Sequence, residues 1–152
     1  MLDGNKSHVE VVAICTVLLY IKYLITTLVG ASKKFASGNR APEDSPATKQ
    51  DFGLHAEDAD VGMAALADAR WQRIVANDLE NIPLGLLLAW AAVITGGDSK
   101  RTTVATLVFT AARFLHTAAY ILALSKPRSF FYLIGVVSVL VLAENVIAGA
   151  YN

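Results

Sequence analysis

The chain has 152 residues, 55% of them hydrophobic and only 17% charged, with 13 Lys+Arg against 13 Asp+Glu. Its mean hydropathy of +0.48 is too apolar for a soluble domain this small, whose interior cannot hide so much surface. A disordered chain would be charge-rich and apolar-poor, and a balanced charge leaves no electrostatic footprint for nucleic acid. The single cysteine, Cys15, excludes an intramolecular disulfide and a cysteine-built zinc site. What remains is an all-α integral membrane protein, read as one domain over 1–152.

A bilayer core of about 30 Å needs about 20 apolar residues in a helix. Residues 9–30 meet this, with Glu10 at the mouth and Lys22 inside. A cleavable signal peptide fits this stretch poorly, because it lacks a basic cluster ahead of it and a small-residue cleavage site after it. A polar segment rich in Gly, Pro, Ser and Asp follows, about 31–61. The second helix spans about 62–95; Pro83 lies inside it and frees the carbonyl of Leu79. The third and fourth helices cover about 103–124 and 130–150, and the short connections between helices two, three and four imply antiparallel neighbours. The expectation is a four-transmembrane-helix bundle. Lys33, Lys34, Arg40, Lys49, Lys126 and Arg128 outnumber Lys6, Lys100 and Arg101 on the opposite side. The positive-inside rule therefore puts the first and third loops in the cytosol.

Ionisable groups within a membrane cost about 2.5–3.5 kcal/mol each even on the lenient insertion scale, so their placement is informative. Arg70, Arg73, Asn77 and Glu80 fall within an arc of roughly 80° on helix two. Arg113, His116 and Tyr120 share roughly 60° on helix three. Both rows lie towards the third loop, beside Lys126, Arg128 and Ser129. One reading makes Arg113–Glu80 or Arg73–Asp78 structural ion pairs that fix helix register. The other notes that cations exceed anions in the set and that guanidinium forks suit carboxylates or phosphates. It implies a small anionic ligand with a positive group for Glu80 to hold. Lys22 is expected to pack against another helix or to snorkel, and Ser129, directly before an apolar helix, to act as an N-cap. His8 and His55 show no metal-ligand spacing, and no metal is expected.

The stretches RWQRIVANDLENIP (Arg70 to Pro83), RFLHTAAY (Arg113 to Tyr120), KPRSFFY (Lys126 to Tyr132) and APED (Ala41 to Asp44) resemble, in this order, motifs of the MAPEG superfamily. The resemblance is to the branch of microsomal glutathione transferase and microsomal prostaglandin E synthase. It implies a homotrimer in the endoplasmic reticulum membrane with glutathione bound at subunit interfaces on the cytosolic side. By similarity Lys34, Arg70, Arg73, Asn77, Glu80, Arg113, His116, Tyr120 and Tyr132 line the glutathione pocket. Arg128 and Ser129 stand near the sulfur, and Asp44 matches an aspartate proposed to assist catalysis. Lys34 replaces a family arginine, and the interval from Tyr120 to Arg128 is one residue shorter than the family pattern. The activity implied is glutathione transfer, with glutathione-dependent peroxidase activity, on lipophilic electrophiles dissolved in the bilayer. The alternatives are prostaglandin-endoperoxide isomerisation and a non-enzymatic lipid-presenting scaffold.

Overall fold

A computed structural model of the chain describes residues 3–39 and 61–151 and shows four helices and no strand among them. They are α1 (Asp3–Ala36), α2 (Val61–Ile94), α3 (Ser99–Ile121) and α4 (Ser125–Ala150). Stretches in α1, α3 and α4 are long and apolar enough to cross a membrane: His8–Ala36, Ser99–Ile121 and Ser125–Ala150. The protein is an all-α membrane protein. The fourth expected span, α2, is not among these three; Arg70, Arg73, Asp78 and Glu80 crowd its middle, and its purely apolar part is confined to the end beyond Asn81.

The helix ends differ from the sequence expectation for local reasons. α3 begins at Ser99 because Asp98 caps it, its carboxylate accepting the Arg101 backbone N–H at 2.7 Å. α2 and α3 both close in the same hydrogen-bonded turn. Gly97 N–H donates to Ala92 O and Gly96 N–H to Val93 O; Leu124 N–H donates to Ala119 O and Ala123 N–H to Tyr120 O. The residue at the left-handed position is Gly96 (φ 75°) in the first turn and Ala123 (φ 58°) in the second. A methyl there costs about 1–2 kcal/mol. α4 therefore starts at Ser125 rather than Phe130, and Pro127 sits in its first turn, where a missing N–H leaves no bond unmade. Ser129 is consequently not the N-cap: that position is Leu124, which makes no side-chain cap, and the Ser129 hydroxyl donates to Ser125 O at 3.1 Å.

The described chain divides into two compact units, Met1–Lys22 with Asn77–Asn152, and Tyr23–Ala76. In the first unit all four helices meet at one layer, where Val12, Ala89, Ala105 and Leu142 pack together, each at most 6% exposed. Half of the most apolar stretch of α3 is buried, against 28% for that of α1 and 22% for that of α4, so α3 is the most buried of the three. At the α2–α3 turn, the Asn145 side chain donates to Asp98 O and to the Thr102 hydroxyl and accepts from Asp98 N–H. Next to it, Gly149 touches the turn backbone. A Cβ at Gly149 would lie 2.6 Å from Gly97 N and 2.9 Å from Thr95 O, whereas one at Gly62 would meet nothing within 4 Å. Gly149→Ala is expected to lose about 1–3 kcal/mol by overpacking, seen as a lower thermal midpoint in detergent, while Gly62→Ala leaves it unchanged or higher.

In the second unit, Asp68 accepts hydrogen bonds from Ser37 and Asn39, which follow α1, and from Gln72 one turn along α2. These bonds tie the end of α1 to the start of α2.

Candidate functional site

The first unit holds eight of the candidate residues, and six of them come together: Asn77, Arg113, His116, Tyr120, Arg128 and Tyr132. α3 supplies three of them from one face, because 113, 116 and 120 recur at helical spacing. Arg113 is 1% exposed, and its Nη1 donates to the Asn77 side-chain oxygen at 3.0 Å. Its guanidinium lies 5.8 Å from the Tyr132 ring centroid and 5.9 Å from that of Phe109. Gly135 makes room for it, since a Cβ at that position would approach Nη2 to 3.0 Å. Nε and Nη2 have no acceptor among the described residues. A buried guanidinium with two unpaired donors is costly, and such groups demand an explanation.

His116 stands 5.7 Å from Tyr120 and 6.3 Å from Tyr132, ring centre to ring centre. Arg128, half-buried at the start of α4, places its guanidinium 4.5 Å from the Tyr120 ring centre. This is a cation–π contact of close geometry. Two arginines, one histidine and two tyrosines thus form one polar, aromatic-lined cluster where α3 meets the beginning of α4.

Glu80 belongs to the same unit but is exposed and makes no ion pair among the described residues. The expected pairs Arg113–Glu80 and Arg73–Asp78 are not the ones formed. Asp78 takes Lys22 instead, whose Nζ lies 2.6 Å from both carboxylate oxygens, with the two side chains 4% and 1% exposed. Arg113 turns to the neutral Asn77 amide. Lys22 packs against another helix, as expected, and does not snorkel. Its partner lies 56 residues away in sequence, beyond the reach of any spacing rule. Lys22, Asp78 and Arg113 together leave one buried positive charge in excess.

The remaining candidates make no contact with this cluster among the described residues. Lys34, Arg70 and Arg73 belong to the second unit, where all three are exposed. Ser129 follows Arg128 with its hydroxyl turned to its own helix. Asp44 lies outside the described residues. No group of three or more His, Cys, Asp or Glu suited to a metal ion occurs among the described residues.

No curated protein matches the chain. Residues 11–147 match the model of the MAPEG family, a stretch that runs from within α1 almost to the end of α4 and takes in the whole cluster. A match over this much of the sequence settles membership: the chain belongs to the MAPEG family.

Proposed function

We propose that the protein is a membrane-bound glutathione transferase with glutathione-dependent peroxidase activity, acting as a homotrimer in the endoplasmic reticulum membrane with its glutathione site on the cytosolic side and α2 as a fourth span. The family includes glutathione transferases and prostaglandin E synthases, and its members use glutathione. The observation that carries the reading is the buried Arg113, with two donors lacking an acceptor, within a cluster that also holds Arg128. Glutathione offers what such a site lacks: two carboxylates for guanidinium forks, an ammonium for an exposed carboxylate such as Glu80, and a thiol. Asn77, His116, Tyr120 and Tyr132 of the same unit join them in this reading, and Lys34, Arg70 and Arg73 are proposed as glutathione-binding residues on the resemblance alone.

The chemistry requires the thiolate, because the thiol is a poor nucleophile. Arg128, fixed over Tyr120, supplies positive charge and N–H donors to the sulfur. Ser129 would add a hydrogen bond once its hydroxyl leaves Ser125 O, and Asp44 is the proposed assisting carboxylate. The thiolate sulfur then bonds to the electrophilic carbon and the leaving group departs with its electron pair. For a lipid hydroperoxide, two glutathiones are consumed, giving the alcohol, water and the disulfide. Donors aimed at a resident anion are usually the largest single catalytic term in a site of this kind.

Titrating the detergent-purified protein with glutathione while recording ultraviolet thiolate absorbance tests this. A saturable thiolate signal is expected, with conjugation of a chloronitrobenzene and reduction of a lipid hydroperoxide. Absence of the signal would leave a lipid-presenting scaffold, and exclusive isomerisation of an endoperoxide would make the protein a prostaglandin E synthase-like enzyme.

A further inference from the structure

The candidate site occupies one end of the α3–α4 pair. Towards the other end, these two helices enclose an open groove of about 520 Å³. Val104 and Val108 of α3 face Val137 and Val141 of α4 across it, with Lys100, Arg101 and Asp98 at its mouth. All four valines are 39–52% exposed in the chain, so the groove is concave and open rather than part of the core. Both walls belong to helices apolar and long enough to cross a membrane. From Lys100 to Val108 the groove follows about 12 Å of helix, close to the depth of one leaflet in a hydrocarbon core of about 30 Å.

We propose that this groove is a binding site for one membrane phospholipid, with an acyl chain lying along the valines and the phosphate held at Lys100. The length of the groove suits a single chain of one leaflet, and its volume falls in the range of small-ligand sites. Lys100 is exposed and makes no ion pair among the described residues. It lies in the first turn of α3, where the helix dipole adds to its field. Its neighbour Arg101 is already held by Glu144, Nη1 donating at 2.9 and 3.1 Å to the two carboxylate oxygens. Lys100 and Arg101 are thus balanced by Asp98 and by Glu144, which lies just outside the groove lining and pairs with Arg101. A mouth with both signs and no net charge matches a zwitterionic headgroup, whose phosphate meets Lys100 and whose ammonium meets a carboxylate, better than a net-anionic one.

The site is separate from the Arg113–Arg128 cluster and stands whether or not the protein is a glutathione enzyme. Native mass spectrometry of the full chain, delipidated in detergent and titrated with phosphatidylcholine, phosphatidylglycerol or diacylglycerol, tests it. Retention of phosphatidylcholine at least tenfold tighter than diacylglycerol is expected, with phosphatidylglycerol weaker than phosphatidylcholine. Val137→Trp, which fills the groove from an exposed position, should lower phosphatidylcholine retention at least tenfold, and Val104→Trp repeats the block from the opposite wall. Lys100→Glu should bring phosphatidylcholine down to the diacylglycerol level. Equal retention of diacylglycerol and phosphatidylcholine by the unaltered protein overturns the proposal, as does unchanged retention in both tryptophan variants. If those variants shift the oligomeric mass and leave lipid retention intact, the groove is an interface between copies and the lipid site is wrong.

Discussion

Asp78→Ala is expected to cost about 3–5 kcal/mol of stability, because it breaks a buried ion pair and leaves one charge uncompensated. Asp78 is 1% exposed and accepts both short contacts from Lys22. Truncating it leaves the Lys22 ammonium buried beside the guanidinium of Arg113, with no compensating anion between them. Lys22→Ala should cost less, because removing the cation still leaves Arg113 near Asp78 to balance its charge. The double replacement Lys22→Met with Asp78→Leu removes both charges and keeps the apolar volume, so it should recover most of the loss. Thermal or denaturant unfolding in detergent, run as a double-mutant cycle, measures the coupling. Additive single losses would show that the pair does not hold α1 to α2.

Arg128→Ala is expected to abolish the glutathione thiolate signal and lower kcat by roughly 10²–10³-fold, the usual loss for a donor aimed at an anionic centre. The magnitude follows from what the alanine removes: a charge, several N–H donors and the cation–π contact with Tyr120 at 4.5 Å. Arg128→Lys keeps the charge and loses the plane and the fork, so it should fall between the two. Because Arg128 is only half-buried and follows the α3–α4 turn, both variants should unfold within a degree or two of the unaltered protein. A normal thiolate signal in Arg128→Ala would remove this residue from the chemistry. The spectroscopic and kinetic readouts separate this from simple misfolding.

Much of the fold was legible in the sequence. Runs of about 20 apolar residues marked the helices, and the spacing of Arg113, His116 and Tyr120 marked one face of α3. The partners of the buried charges were not legible. Arg113 is answered by Asn77 and Lys22 by Asp78, pairings fixed only when separate helices pack. Helix starts depart from the apolar runs where a cap or a left-handed turn decides them. Asp98 drew α3 back to Ser99, and the turn at Ala123 let α4 begin before Pro127 and took the capping role from Ser129. Tyr132 entered through the resemblance of KPRSFFY alone; in the structure it faces both Arg113 and His116. A signal for it existed in the placement of an aromatic one turn beyond Arg128, but α4 is apolar on every side and its pattern gives no face.

The closeness of α3 and α4 has a consequence for biogenesis. α3 carries a buried arginine at residue 113 and three threonines, Thr106, Thr110 and Thr117, whose hydroxyls find no partner among the described residues. Released singly into lipid, such a segment would carry about 2.5–3.5 kcal/mol of insertion cost for the arginine alone. α4 follows after only three residues, is more apolar, and packs along α3. The pair is therefore expected to enter the bilayer as a helical hairpin, with Tyr132 and Gly135 of α4 set against Arg113 before the rest of the bundle closes around it.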